Sequence, residues 1–227
     1  MDTMNLGTMI ELRARDGHRL TAYRSAPTAP TRGGVLMLQD AFGINRHLRA
    51  VCDDYAGHGY VAIAPALYDR QQRDAAFDYD EASLETARGL RRGLDYATAL
   101  LDADTAIEAL RKSGRVGVVG YCVGGSAAWL AACRLRVDAA SCYYPSDIGK
   151  QVDEMPRCPV VMHFAERDRF IPAETVARFR AAHPSIPAHL YPAEHGFNCS
   201  ALAHAFSGDS ARLALDRTLE LFTAHVA

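Results

Sequence analysis

The sequence lacks a strong net charge of either sign, and it has no repeat and no low-complexity tract. Its 25 Lys and Arg residues nearly balance 27 Asp and Glu residues, which leaves a net charge of −2. Without a basic surface field, the protein is not expected to bind nucleic acid or an anionic membrane surface. Its composition, 49% hydrophobic and 23% charged, is typical of globular proteins. A length of 227 residues predicts one domain that spans residues 1–227.

Signals for export and membrane insertion are also lacking. The segment Met1–Arg15 has no positively charged start followed by a continuous apolar block, so it does not resemble a secretory signal. The uncharged run Val116–Cys133 is long enough to raise the question of a transmembrane helix. Several glycines interrupt it, and we interpret it as a buried strand, a turn and a buried helix. A cytoplasmic protein without a membrane partner is therefore expected.

The six cysteines include no C-x-x-C pair. This spacing argues against a zinc ribbon and against a thioredoxin-type dithiol. Reduced thiols are the default in the cytoplasm, and most free cysteines behave as small buried hydrophobic residues. The oligomeric state is left open between a monomer and a weak dimer.

Short β-branched runs alternate with longer amphipathic segments, which predicts an α/β fold with a mostly parallel, doubly wound sheet flanked by helices. An N-terminal hairpin is predicted at about residues 9–24, with a tight turn at Asp16-Gly17. Strands are predicted at Val35–Gln39, Val61–Ala64, Val116–Val119, Ala139–Tyr143, Val160–Phe164 and Ala188–Tyr191. Helices are predicted at Arg46–Gly57, Ala82–Lys112 with a break near Gly89 or Gly93, Gly124–Leu135, Ala173–His183 and Ser210–Ala224.

The connections of the predicted sheet leave no room for a large lid domain. The polar, aromatic-bearing stretch between Leu67 and Asp80 has no clear period, so we expect an irregular loop over a site. Ligands of doubly wound sheets bind at the carboxyl ends of the strands. The residues that carry the chemistry are therefore expected at that edge.

Cys122 lies between a hydrophobic strand and a helix, in the pattern Gly120-x-Cys122-x-Gly124-Gly125. This is the pattern of a nucleophile elbow with cysteine in place of serine. The glycines are needed because the tight turn brings backbone segments close together. A thiol at the start of a helix is favoured as the thiolate, and the Val123 amide is a natural donor for an oxyanion. A buried structural cysteine and a redox-sensor thiol are the alternatives.

An elbow nucleophile is followed along the chain by an acid and then by a histidine. Asp168 follows the predicted strand Val160–Phe164, with Glu166 as a rival acid, and His195 follows the next strand. Both lie where the carboxyl ends of the strands meet. His163 falls within a strand and is expected to be a hydrogen-bonded core residue.

From roughly Gly33 to the last helix, five segments resemble signatures of the dienelactone hydrolase family of α/β-hydrolases. They are Leu38–Asn45, Gly59–Asp69, Gly120–Gly125, Arg167–Pro172 and Glu194–Phe197. The cysteine-centred elbow is the most specific of them. The resemblance implies an α/β-hydrolase fold and hydrolysis of small esters or lactones by a Cys–His–Asp triad. It also implies that no metal and no organic cofactor take part.

Two departures from the family pattern concern the activation of the Cys122 thiol and the specificity for the substrate. Where the family carries a glutamate thought to help generate the thiolate, this chain has the shorter Asp40, which either activates the thiol or caps a turn. Where the family carries two arginines that bind the substrate carboxylate, this chain has Leu84 and Cys199. Arg88, one helical turn after Leu84, could rebuild part of that clamp, and so could Arg91 and Arg92.

The sequence thus predicts a cysteine hydrolase that forms an acyl-enzyme thioester. Cys122 would be the nucleophile, His195 the base and Asp168 the residue that orients it. The amides of Val123 and Ala41 would bind the oxyanion. The predicted pocket residues are Phe42, Tyr68, Arg88, Tyr143 and Phe197. The alternatives are a noncatalytic binding protein on a hydrolase scaffold and a hydrolase of unrelated thioesters or activated esters.

Overall fold

The computed structural model describes residues 7–227. The expectation that Met1–Arg15 does not resemble a secretory signal also concerns residues 1–6, which lie outside the described residues. The strands are β1 (Thr8–Arg13), β2 (Arg19–Ser25), β3 (Gly33–Leu38), β4 (Tyr60–Pro65), β5 (Val116–Tyr121), β6 (Ala139–Tyr143), β7 (Val160–Arg167) and β8 (Ala188–Glu194). The α-helices are α1 (Arg46–Gly57), α2 (Glu81–Arg92), α3 (Tyr96–Leu110), α4 (Val123–Arg134), α5 (Ala173–Ala182) and α6 (Gly208–His225).

All eight strands form one sheet in the order β1-β2-β4-β3-β5-β6-β7-β8. The first two strands pair antiparallel, and β2 is antiparallel to β4, whereas every later pair is parallel. The predicted mostly parallel sheet is therefore confirmed. Strands β3 to β6 are buried along their whole length, as expected when helices cover both faces of a parallel sheet.

The helices form a layer on each face of the sheet. On one face α3 packs against α4, and Trp129 of α4 stacks edge-on against Phe179 of α5 with ring centres 5.2 Å apart. On the other face α1 and α6 meet, where Tyr55 and Phe222 have ring centres 6.4 Å apart. Among residues 7–227, no helix has both the length and the apolar character needed to cross a bilayer. The run Val116–Cys133 is instead β5, a turn and the buried helix α4.

Local signals explain the boundaries of the long predicted helical segment. Helix α2 begins after Asp80, whose side chain accepts the amide hydrogen of Ser83 at 2.8 Å, and it ends at Arg92 before Gly93. Helix α3 then begins after Asp95, which caps it in the same way. Aspartates at these positions satisfy amides that have no partner within the helix. The predicted break therefore lies at Gly93 and not at Gly89.

The N-terminal hairpin is present, but its turn is longer than two residues. Ala14 and His18 close the loop through an amide-to-carbonyl bond of 2.8 Å, and Gly17 between them has a φ of +89°. A three-residue loop with glycine in the left-handed region is a common hairpin connection. Asp16 and Gly17 thus lie in the turn of the predicted hairpin, together with Arg15.

Candidate active site

Cys122 joins the end of β5 to the start of α4 in a strained conformation. Its φ is +56° and its ψ is −116°, a region that non-glycine residues rarely occupy. The backbone holds this geometry from two sides. The Cys122 amide donates to the carbonyl of Tyr143 at 3.0 Å, and the Cys122 carbonyl accepts from the amides of Ser126 and Ser146. The thiol is therefore presented at the carboxyl edge of the sheet, at the N-terminus of a helix.

The glycines around Cys122 are there because the backbone segments nearly touch. A Cβ atom on Gly120 would lie 1.9 Å from the carbonyl oxygen of Gly124. One on Gly124 would lie 2.3 Å from the carbonyl oxygen of Gln39, at the end of β3. Real Cβ atoms do not approach backbone this closely, so only hydrogen fits at either position. The same close packing brings the end of β3, and hence Asp40 and Ala41, next to the elbow.

His195 and Asp168 form a buried pair at the ends of the last two strands. Nδ1 of His195 lies 2.8 Å from Oδ2 of Asp168, and the two side chains are only 10% and 1% exposed. The other carboxylate oxygen accepts from the amides of Phe170 and Ile171 at 2.8 and 3.1 Å. Glu166, the rival acid, is exposed. Asp168 is thus the acid in contact with His195, and its own loop fixes its orientation.

Aromatic rings enclose the imidazole of His195. The ring of Tyr144 lies 4.9 Å from it and that of Phe170 lies 4.7 Å away, measured between ring centres. The free nitrogen, Nε2, is buried and has no hydrogen-bond partner in the described part of the chain. Of the two imidazole nitrogens, one is held by Asp168 and the other is available to a reacting group.

The ionisation of His195 reflects both its burial and its charged neighbours. Burial by itself lowers the pKa of His195, because a charged imidazolium is poorly solvated there. The negative charge of a Cys122 thiolate and the contact with Asp168 act in the opposite direction and prevail. Together they raise the pKa of His195 to about 9.

Cys122 and His195 open into one cavity of about 560 Å³. Its walls come from the end of β3, from helix α2 and from the loops that follow β6, β7 and β8. Apolar wall residues include Phe42, Leu84, Tyr144, Phe170 and Leu202. The cavity also contacts Asp40, Tyr79, Arg88, Arg91, Arg169, Cys199 and His204. A cavity of this size with a few polar groups suits a small organic ligand.

The two amides predicted for the oxyanion hole belong to residues at the elbow and at the end of β3. Val123 is the first residue of α4, and Ala41 lines the cavity. Within residues 7–227, neither backbone N–H donates to another residue. The first amides of a helix have no partner within the helix, which leaves the Val123 amide free to bind an anion.

Asp40 lies in the cavity, but both of its carboxylate oxygens are already engaged. Oδ1 accepts the amide hydrogen of Phe42 at 2.8 Å, and Oδ2 accepts the hydroxyl hydrogen of Tyr79 at 2.7 Å. The first of these bonds is the turn cap that the sequence left as an alternative. No hydrogen bond joins Asp40 to Cys122 among the described residues. Burial raises the pKa of Asp40, while the two donors and the charge of His195 lower it.

The predicted pocket residues fall into two groups. Phe42 and Arg88 line the cavity, whereas Tyr68, Tyr143 and Phe197 are buried at 1%, 1% and 0% exposure and do not line it. Tyr143 points into the core, where its hydroxyl bonds with Thr218 at 2.9 Å. The expectation of these three side chains as pocket walls is corrected accordingly: they support the site from behind.

His163 is the hydrogen-bonded core histidine that the sequence predicted. Its Nδ1 lies 2.8 Å from the Tyr191 hydroxyl, and its Nε2 lies 3.2 Å from the Ser141 hydroxyl. Burial lowers the pKa of His163 well below its usual value, so the ring is neutral. It packs beneath the strand ends that carry the site.

Several side chains at the site were not identified from the sequence. Those closest to the reacting groups are Tyr79, Tyr144 and Phe170, and the others include Arg169, Leu202 and His204. Tyr144 takes the place expected for Tyr143. It directly follows β6, and its φ of +35° turns its ring towards His195. Tyr79 lies at the end of the segment that was predicted to cover a site, so its region carried a signal although the residue did not. Phe170 follows Asp168 by two residues, a spacing that carries no signal on its own.

The parallel sheet, the cysteine elbow and the histidine–aspartate pair beside it define an α/β-hydrolase. The family model of the dienelactone hydrolases matches residues 20–226. The chain belongs to the dienelactone hydrolase family, and it is a hydrolase of the kind that acts on esters or lactones.

Similar proteins span nearly the same length. The carboxymethylenebutenolidase of Pseudomonas putida is 31% identical over 222 residues, which cover 93% of this chain and 94% of that protein. Carboxymethylenebutenolidase 1 of Cupriavidus pinatubonensis has the same identity and the same coverage. A crystal structure assigned as a dienelactone hydrolase, from Klebsiella pneumoniae, superposes with a TM-score of 0.81 at 28% identity, covering 96% of this chain and 99% of that one.

Proposed function

We propose that this protein hydrolyses small ester or lactone substrates through Cys122, His195 and Asp168, by way of an acyl-enzyme thioester. The observation that carries the proposal is the shared cavity: the thiol of the elbow and His195 open into the same space, and Asp168 holds His195 from behind. A nucleophile and a base at one ligand site, with an acid that orients the base, are what covalent hydrolysis requires. Family membership supports the same reaction class.

The first half of the reaction transfers the acyl group to sulfur. With the pKa of His195 raised to about 9, the imidazole is protonated at neutral pH. In the proposed reaction Cys122 attacks as the thiolate beside this imidazolium. The thiolate attacks the carbonyl carbon and forms a C–S bond, and the amides of Val123 and Ala41 bind the oxyanion. The C–O bond to the alcohol then breaks, and the alcohol oxygen takes the proton from Nε2 of His195.

The second half regenerates the enzyme. His195, now neutral, accepts a proton from a water molecule, and the oxygen of that water attacks the thioester carbon. The C–S bond breaks, the acid leaves, and Cys122 returns to the thiolate beside a protonated His195. Asp168 holds Nδ1 of His195 in place throughout. The net reaction is ester plus water to acid plus alcohol.

Iodoacetamide at neutral pH is expected to label Cys122 before the other five cysteines. Alkylation rates follow the thiolate fraction and the access of the reagent. Cys122 is partly exposed and faces a charged imidazolium, whereas burial raises the pKa of Cys133 and Cys158 to about 12. The measurement is the time course of labelling at each cysteine by peptide mass mapping.

Cys158 is the matched control because it is the other partly exposed cysteine and lies outside the cavity. Labelling of Cys158 should be slow in the unmodified protein and unchanged in Cys122→Ala. The proposal would be contradicted if Cys52 or Cys199 were labelled before Cys122 in both experiments, one with substrate and one without it.

Neutral small esters or lactones are expected to be better substrates than carboxylated dienelactones. The relatives' name refers to a carboxymethylene-substituted butenolide, but Leu84 and Cys199 line this cavity where the family's carboxylate-binding arginines are expected. Loss of a charge-assisted hydrogen bond costs about 1.5–3 kcal/mol, or roughly 10- to 150-fold per arginine. The measurement is kcat/KM for a carboxylated dienelactone and for a matched neutral lactone.

Arg88 is the residue most able to reverse this preference. Arg91 is bound by Asp147 at 2.9 Å and Arg92 by Glu85 at 2.9 Å, whereas Arg88 has no ion pair among the described residues. Arg88→Ala is therefore measured with both substrates. Arg92→Ala serves as the control on the same helix, because Arg92 also lines the cavity but is paired with Glu85. A strong preference for the carboxylated lactone that is lost in Arg88→Ala alone would overturn the expectation.

A further inference from the structure

Tyr79 connects the irregular segment between β4 and α2 to the end of β3. It directly precedes Asp80, the N-cap of α2, and it lines the cavity. Its ring packs on Phe42 with ring centres 4.5 Å apart and meets His47 of α1 edge-on at 6.0 Å. Tyr79 is therefore held by apolar contacts that do not depend on its hydroxyl group.

The hydroxyl group of Tyr79 makes a short hydrogen bond to Asp40, and it also interacts with Asn45 and Cys199. It donates to Oδ2 at 2.7 Å, while the Phe42 amide donates to Oδ1 at 2.8 Å. The Phe42 bond is local to the turn after β3. The Tyr79 bond joins residues 39 positions apart and connects the segment before α2 to the Asp40 carboxylate. Each oxygen thus has a donor from a different part of the chain, which fixes the orientation of the carboxyl plane.

These contacts also act on the ionisation of Asp40. Burial raises the pKa of Asp40, and the hydrogen bonds to the charged form offset only part of that effect. Burial and the charge of Asp40 in turn raise the pKa of Tyr79 far above its usual range, so its hydroxyl stays a donor. The other ionisable groups that interact with Asp40 are Tyr68, Tyr144, His195 and Cys199. Of these, only His195 carries a positive charge.

We propose that Tyr79 is a positioning residue that orients the Asp40 carboxyl group beside the Cys122–His195 pair and favours its ionised form. This inference rests on the proposed function, because it assigns Asp40 a working negative charge in that reaction. Asp40 is one methylene shorter than the glutamate expected at this position of the family. The hydroxyl of Tyr79 supplies the second donor that holds the shorter side chain in the cavity.

The test is the titration of the Asp40 side chain in Tyr79→Phe, followed by NMR of carboxyl carbons in protein labelled with [13C]aspartate. Phenylalanine keeps both ring contacts and removes only the donor. Without that donor the carboxylate is less stable, so Asp40 should take up its proton at a pH higher by about 1 unit. Asp40→Asn identifies the resonance.

Tyr96→Phe is the matched control. The Tyr96 hydroxyl also donates to a carboxylate, that of Asp147 at 2.9 Å, but it does not contact Asp40. We expect no change in the Asp40 titration in this variant. An unchanged Asp40 titration in Tyr79→Phe, or an equal change in Tyr96→Phe, would overturn the inference whether or not Cys122 is the nucleophile.

The pH profile of kcat/KM links the contact to the reaction. If Asp40 must be ionised, activity falls as the pH drops through its pKa, so the acid limb in Tyr79→Phe should move to higher pH by the same amount. A titration that shifts while the acid limb stays in place would show that Tyr79 acts on structure alone, which contradicts the inference. Retained hydrolysis in Cys122→Ala, by contrast, would refute the proposed function and leave the NMR result intact.

Discussion

Cys122→Ala should remove nearly all hydrolysis and leave the fold unchanged. The thiol supplies the only covalent step of the proposed reaction, and loss of a nucleophile typically costs about 10³-fold or more. Alanine at a φ of +56° is no more strained than cysteine, so the elbow should keep its shape. The measurement is kcat/KM on a neutral activated ester, with thermal unfolding as the check on the fold.

Cys158→Ala is the control for this variant, because it removes a partly exposed thiol outside the cavity and should retain wild-type activity. Cys122→Ser should also be poor, since a serine hydroxyl is not ionised at neutral pH and the site is built around a thiolate. More than about a tenth of the wild-type rate in Cys122→Ala is incompatible with a covalent step at this residue.

Asp168→Asn should lower kcat/KM by about 10²-fold or more, and it should narrow the pH range over which kcat/KM is high. In the folded protein, Asp168 and the Cys122 thiolate raise the pKa of His195 to about 9 against the effect of burial. His195 therefore stays protonated from neutral pH up to about pH 9 and loses its proton above it. Without the carboxylate charge the pKa of His195 falls, so the alkaline limb of the profile should move to lower pH.

Glu166→Gln is the matched control for Asp168→Asn. Glu166 lies two residues earlier, was the rival acid in the sequence, and is exposed. Its substitution should change neither the rate nor the alkaline limb. If Glu166→Gln had the larger effect, or if Asp168→Asn lowered the rate with an unmoved alkaline limb, the assigned role of Asp168 would be wrong.

The sheet and the elbow could be predicted because their signals are local. Buried parallel strands appear as short apolar runs. Glycine is required at 120 and 124 because a Cβ atom there would lie 1.9 and 2.3 Å from a backbone oxygen. Chain order then placed Asp168 and His195 at the ends of β7 and β8. The family resemblance on the same residues agreed with this prediction.

The cavity wall could not be predicted in the same detail, because it depends on contacts between distant segments. Whether Tyr143 or Tyr144 faces the cavity depends on the positive φ of Tyr144, directly after β6. No glycine in the sequence indicates a positive φ at that position. The partner of Asp40 is Tyr79, 39 residues away on an irregular segment without periodicity. The positions of the family's carboxylate-binding arginines could be located along the chain. Which arginines remain free to bind a substrate, however, depends on ion pairs such as that of Arg91 with Asp147.

The most direct test of the account is to trap the acyl-enzyme. Purified protein is mixed with p-nitrophenyl acetate, quenched with acid before the steady state, and its modified peptide is located by mass spectrometry. The account predicts a burst of one equivalent of p-nitrophenol and one acetyl group on Cys122, with neither in Cys122→Ala. Turnover without a burst and without an adduct, or an acetyl group on another residue that turns over at the catalytic rate, would contradict it.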